Sequence, residues 1–191
     1  MHLLSVSKSY QIIYADPPWQ YDDKALAGDR GAGCKYDTMP TEDICNFLES
    51  NKIHTDDNCF LFLWGTWAFL HDVLKVIDSW GFKYKTCAFV WLKESKNGKL
   101  FYGMGNYTRA NTEYVLLGTK GKPKVLDHSV SQVIKSAVKK HSQKPDIIRS
   151  KIVQLCGDLP RLEIFARTKI HGWDTFGNDE KLELQPLEKW N

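Results

Sequence analysis

SYQIIYADPPW, residues 9–19, is the stretch whose reading decides the fold. Its first seven residues are rich in Ile and Tyr and read as a short strand. Pro17 and Pro18 then stop it, because neither can donate to a β-ladder. The carboxyl end of the strand is therefore a loop that opens on Asp16 and closes on Trp19. In open α/β sheets ligands bind outside the carboxyl ends of the strands, so a site is expected at this loop.

Working outward, a polar, glycine-rich loop runs to about Met39, and Thr41 is expected to cap a helix over 42–50 with Glu42 and Asp43 in its first turn. CFLFLW, residues 59–64, is a continuous apolar run of the kind found in a strand buried on both faces. Apolar residues at 70, 73, 74, 77 and 80 form a helical stripe over 67–80, which Gly81 closes. Residues 82–92 and 113–119 read as two further strands, separated by a long, basic, glycine-rich loop over 93–112. A helix is predicted over 144–156, with Pro145 in its first turn and Gly157 after its end. Short strands are predicted over 161–166 and 173–176. This alternation predicts an α/β sheet with helices on both faces, and the length predicts a single domain over residues 1–191.

Composition narrows the function. Residues 1–81 hold 6 Lys/Arg against 12 Asp/Glu, residues 82–151 hold 15 against 4, and residues 152–191 hold 5 against 7. The middle of the chain thus carries the positive field, as a polyanion partner such as nucleic acid requires; a solvated basic surface is the other reading. Its lysines cluster at 93, 96 and 99, at 120, 122 and 124, and at 139, 140 and 144, and they are expected to flank the mouth around Asp16. Cys34, Cys45, Cys59, Cys87 and Cys156 are scattered, odd in number and without C-x-x-C spacing, so free thiols are expected rather than a disulfide framework. The histidines also lack ligand spacing, and no metal is expected. Apolar runs are too short to cross a bilayer, and a cytoplasmic protein with no membrane partner is expected.

The Asp16–Trp19 loop has the parts needed to act on an exocyclic base amine. Such an amine is a poor nucleophile because its lone pair is delocalised into the ring. Acceptors on both of its hydrogens would favour a more tetrahedral nitrogen. Asp16 offers a carboxylate, Pro17 a carbonyl held by the rigid Pro17-Pro18 backbone, and Trp19 a flat face for stacking. The same four residues also describe a strand-terminating turn with a capping Asp and a packed Trp.

Further landmarks follow in order: KYDTMP at 35–40, FLFLWGT at 60–66, WGFKYKTCAFVWLK at 80–93, TEYVLLGTKGKP at 112–123, HSQKPD at 141–146, LEIFAR at 162–167 and GWDTFGND at 172–179. Together with YADPPW they resemble the DPPW-type adenine N6-methyltransferase family, which includes the catalytic subunit of the eukaryotic messenger-RNA adenine methyltransferase and small phage and bacterial enzymes. The resemblance implies a Rossmann-like fold using S-adenosylmethionine, with the catalytic loop preceding the main cofactor-binding region. It implies that Asp16, Pro17, Pro18 and Trp19 are catalytic. It implies that Asp16, Lys144, Arg167, Asn178 and Asp179 hold the cofactor. It places Trp19, Tyr36, Arg109 and Glu113 at the substrate, with Lys139 and Lys140 beside them in the basic KKHSQK run. From the residues themselves, Glu113 can equally pair with a neighbouring lysine. The small size favours DNA over RNA as substrate, and a homodimer or partner subunit would widen a small basic surface. A catalytically silent partner subunit is the rival reading, and the presence of DPPW weighs against it.

Overall fold

The computed structural model describes residues 8–20, 38–103, 105, 107–139, 143–177 and 184–185. Its strands are β1 (Ser9–Ala15), β2 (His54–Gly65), β3 (Lys83–Glu94), β4 (Thr112–Lys120), β5 (Val133–Ala137), β6 (Arg161–Ile164), β7 (Lys169–Ile170), β8 (Asp174–Phe176) and β9 (Leu184–Gln185). Seven of them form one mixed sheet in the order β5-β3-β4-β2-β1-β6-β8, while β7 and β9 pair separately. Within the sheet β4 alone is antiparallel to its neighbours.

Strand periodicity divides the core between the two faces of this sheet. Successive side chains point to opposite sides. Ile13, Ala15, Leu61 and Leu63 pack with Ile44, Leu48, Val73, Val76 and Ile77, which come from α1 (Thr41–Cys45), α2 (Phe47–Ser50) and α3 (Leu70–Ser79). Ile12, Tyr14, Phe60, Phe62 and Trp64 pack on the other side with Ile148, Ile152 and Cys156 of α4 (Ile147–Cys156). The sheet is thus covered by helices on both faces, as the alternating pattern requires, and each fully buried Leu or Ile stabilises it by about 1.5–3 kcal/mol. Cys45 and Cys59 belong to the first core and Cys156 to the second. All three, with Cys87, are free thiols; Cys34 lies outside the described residues.

The chain order sets the position of the site. From β1 the chain passes outward through β2, and the sheet extends on that side to β4, β3 and β5; through α4 it then returns to β6 on the opposite side of β1. The order therefore reverses between β1 and β6. A crevice opens at such a reversal, outside the carboxyl ends of the strands. Asp16 follows β1 there, and Arg167 follows β6.

Several local expectations are corrected. Thr41 does not cap the helix: Pro40 precedes it, its carbonyl takes the Ile44 N–H at 3.1 Å, and the Thr41 hydroxyl donates to Asp72 Oδ1 at 3.0 Å. The helix over 42–50 is two short ones divided at Asn46. Pro145 lies before α4 rather than in its first turn, with Asp146 at the N-cap, while Gly157 does end it with φ +89°. The strand expected over 161–166 stops at Ile164, because Phe165 turns the chain with φ +62°, a backbone region unusual for a bulky residue. β5 was not anticipated: only Ile134 of its five residues is buried, so its apolar signal is faint.

Gly65, the last residue of β2, is required by space. A Cβ there would stand 2.6 Å from Val73 Cγ2 and 2.8 Å from Tyr114 Oη, and both residues are fully buried. Gly65→Ala is expected to cost about 1–3 kcal/mol through overpacking. At roughly 2–4 °C per kcal/mol for a chain of this size, thermal denaturation should detect it readily.

Candidate active site

Four ionisable side chains meet at the carboxyl end of β1. Lys144 Nζ lies 3.0 Å from Asp16 Oδ1 and 3.2 Å from Glu113 Oε2. Lys93 Nζ donates to the other oxygen, Glu113 Oε1, at 2.5 Å. Two cations and two anions thus neutralise one another in a largely buried place. They are gathered from four elements: Asp16 follows β1, Lys93 lies near the end of β3, Glu113 near the start of β4, and Lys144 precedes α4. Aromatic rings border the two cations. Lys144 Nζ lies 5.3 Å from the Trp64 ring centroid, and Lys93 Nζ lies 5.2 Å from that of Trp91.

Burial and pairing act in opposite directions on these groups. Burial raises the Asp16 carboxyl above its ordinary range, and Lys144 and Arg167 offset only part of that. Burial also works to raise Glu113, but Lys144 and Lys93 more than compensate and hold it below the usual carboxylate range. Burial works to lower Lys144, yet Asp16 and Glu113 raise it above the ordinary lysine value, so it stays a cation. Asp16 is accordingly the member of the group that protonates more easily than an ordinary aspartic acid.

The Pro17-Pro18 backbone is tied down by its own carbonyls. Pro17 O accepts the Trp19 N–H at 2.9 Å, and Pro18 O accepts the Met39 N–H at 2.8 Å. A carbonyl carries two lone pairs, so Pro17 O retains acceptor capacity. Trp19 departs from its expected role. It is 7% exposed, its Nε1 donates to Trp64 O at 3.2 Å, and its ring stacks on Phe69 at 5.6 Å. The indole is a core side chain that anchors the loop, and it offers no free face to a base.

A model of the MT-A70 family matches residues 10–179. The chain belongs to the MT-A70 family. It is 34% identical to a Type II methyltransferase, M.MunI, of a Mycoplasma species, over 93% of this chain and 82% of that protein. It is 26% identical to the human N(6)-adenosine-methyltransferase catalytic subunit METTL3, over 92% of this chain and 29% of that protein. The MT-A70-like N(6)-adenosine-methyltransferase of Arabidopsis thaliana is likewise 26% identical, over 92% of this chain and 24% of that protein.

The MT-A70 match contains every candidate drawn from the sequence, and among the described residues the fold gathers some of them. Asp16, Glu113 and Lys144 form the cluster, and Arg167 is exposed near enough for its charge to act on Asp16. Arg109 is exposed on the loop before β4. Lys139 donates to Asp146 Oδ2 at 2.8 Å, at the entry to α4. Tyr36, Lys140, Asn178 and Asp179 lie outside the described residues. Lys93, counted among the surface cations at the mouth, is committed to Glu113. The cluster of Lys120, Lys122 and Lys124 does not flank the Asp16 mouth. β4 runs antiparallel, so Tyr114 pairs with Gly65 at the active end while Lys120 pairs with Cys59 at the other.

Sequence reasoning missed a second ion pair behind the loop. Arg149 of α4 clasps Glu163 of β6 through Nε at 2.7 Å and Nη2 at 2.6 Å, and its Nη1 donates to Asp146 Oδ1 at 2.9 Å. Its guanidinium lies 5.7 Å from the Tyr14 ring centroid, and Tyr14 Oη accepts from Trp64 Nε1 at 2.7 Å. The available signal was the glutamate inside the apolar LEIF run, since a carboxylate buried in a strand needs a partner.

Proposed function

We propose that this chain transfers a methyl group from S-adenosylmethionine to the exocyclic N6 amine of adenine in DNA. The observation that carries the reading is the Asp16 carboxylate, rigidly presented by a Pro-Pro loop at the sheet's reversal point beside Lys144 and Glu113. The MT-A70 match over residues 10–179 supports methyl transfer, and the N(6)-adenosine names of several relatives support the position of the transfer. DNA is favoured because identity is higher to the Mycoplasma Type II methyltransferase, 34%, than to the human N(6)-adenosine enzyme, 26%.

The residues present fit the cofactor's charged ends. Lys144 is a buried cation suited to a carboxylate, and Asp16 an anion suited to an ammonium group. Glu113 Oε2 is a buried acceptor that makes no hydrogen bond among the described residues beyond its ion contact with Lys144. Arg167, Asn178 and Asp179 would meet the ribose and adenine. The cofactor, when bound, supplies a methyl group already activated on a sulfonium. The chain's task is then positioning: Asp16 and the remaining lone pair of Pro17 O accept the amine hydrogens and turn the nitrogen lone pair toward the donor. Tyr36, which lies outside the described residues, is assigned to the target base. The arrangement is read as a Rossmann-like methyltransferase fold in a single domain, acting alone, as a homodimer or with a partner subunit.

Lys144→Met tests this assignment in two ways. Loss of a charge-assisted bond should weaken S-adenosylmethionine binding by about 1.5–3 kcal/mol, measured by calorimetric titration. The variant also removes the main influence lowering the Asp16 carboxyl. Methyl transfer needs the ionised carboxylate, so activity falls as pH drops through the Asp16 pKa. That acid limb of the kcat/KM profile should move to higher pH in Lys144→Met. An unchanged affinity and an unchanged profile would remove Lys144 from the site.

A further inference from the structure

The loop between β3 and β4 is a folded arm that rises from the active end of the sheet. Glu94 bridges antiparallel to Leu100, Phe101 N donates to Lys93 O at 2.9 Å, and Gly103 N donates to Ala110 O at 2.8 Å. The base of the arm is the ion cluster itself, since Lys93 and Glu113 flank its two ends. Trp67, just after β2, joins it through Nε1 to Thr112 Oγ1 at 2.9 Å.

The arm spends large aromatic side chains on solvent. Tyr102 is 63% exposed, Tyr107 is fully exposed, and Phe101 and Trp67 are also exposed. Among its residues 95–111 stand Lys96, Lys99 and Arg109, and no Asp or Glu. Those three cations are exposed too. Exposed aromatics have a cost in water and mark contact surfaces. Aromatics interleaved with cations, without a single anion, match the chemistry of a nucleic-acid strand, whose bases stack on rings while its phosphates take the charges. A protein partner is less well served, because interface cores are depleted in lysine.

We propose that this arm is a strand-holding element, in which Tyr102 and Tyr107 stack on bases beside the target adenine while Lys96, Lys99 and Arg109 contact flanking phosphates. The proposal rests on the DNA-methylating function. It supplies something the Asp16 loop lacks, because Trp19 is buried and a base must find its stacking surface elsewhere.

The test compares the full chain with Tyr102→Ala/Tyr107→Ala and with Lys96→Glu/Lys99→Glu. Affinity for a fluorescein-labelled, adenine-containing DNA, as duplex and as single strand, is measured by anisotropy at several salt concentrations. Removing both tyrosines should weaken binding roughly tenfold or more while leaving the slope of log affinity against log salt as it was. Reversing the lysines should weaken binding and flatten that slope. Calorimetric S-adenosylmethionine affinity should be unchanged in both variants, which shows that their sites are folded. Wild-type DNA affinity in both variants overturns the proposal and leaves the function standing. Tyrosine variants that dissociate an oligomer in sedimentation but bind DNA normally overturn it in favour of a protein interface. A wild-type chain that binds no DNA overturns the proposal together with the function beneath it.

Discussion

Asp16→Ala is expected to leave a folded protein whose methyl transfer falls at least about a hundredfold, the low end of what removing one preorganised hydrogen-bonding group from a reacting centre costs. The adenine N6 lone pair is conjugated with the ring, and without an acceptor on its hydrogens it stays planar and unreactive. Asp16 lies beyond the last residue of β1, so its loss removes no strand pairing. Lys144 keeps Glu113 as partner, so the change strands no buried cation. Asp16→Asn should also be severely impaired: the amide retains an acceptor oxygen but loses the charge that Lys144 and the substrate amine both respond to. Label transfer from S-adenosylmethionine, alongside circular dichroism, checks both variants. Wild-type turnover in Asp16→Ala would refute the assignment of this loop.

The largest effect on stability is expected behind that loop. Breaking a buried ion pair on one side leaves an uncompensated charge and costs about 3–5 kcal/mol. Burial pushes the Glu163 carboxyl above its usual range, and the Arg149 fork offsets only part of this. Arg149→Met should therefore destabilise strongly, since the buried Glu163 loses both hydrogen bonds from its guanidinium partner. At roughly 2–4 °C per kcal/mol, its melting temperature should fall on the order of 6–20 °C. Glu163→Gln should cost less, because Arg149 cannot discard its charge but keeps Asp146 as an anionic partner at 2.9 Å. The double variant Arg149→Met/Glu163→Leu should recover much of the loss, as apolar replacements of buried pairs commonly do. Urea unfolding of the three variants measures the coupling. Additive losses in the double variant would mean that the pair is not the interaction holding α4 to β6.

The structure is legible in the sequence where a local pattern carries it. CFLFLW is apolar throughout because β2 is buried on both faces, and the 70–80 stripe is regular because α3 presents one face to the sheet. β5 escaped notice because its edge position demands one buried residue, Ile134, and pairing in the sheet is a long-range property. Asp16 was legible because two prolines must end a strand. Glu113 was read with a lysine partner as one of two outcomes, and it has two such partners. Trp19 packs on Phe69, and an aromatic beside a loop carboxylate has the same sequence signature whether it faces a ligand or the core. Lys120, Lys122 and Lys124 misled because nearness in sequence says nothing of which end of an antiparallel strand a residue occupies. The Arg149–Glu163 pair joins a helix to a strand and has no periodic trace.

The most direct measurement incubates the purified chain with methyl-labelled S-adenosylmethionine and separate pools of DNA and RNA, then digests each to nucleosides. Label is expected in N6-methyldeoxyadenosine from DNA, and none in that position with Asp16→Ala. Label confined to N6-methyladenosine from RNA would contradict the choice of substrate, and label absent from both pools would contradict the central claim.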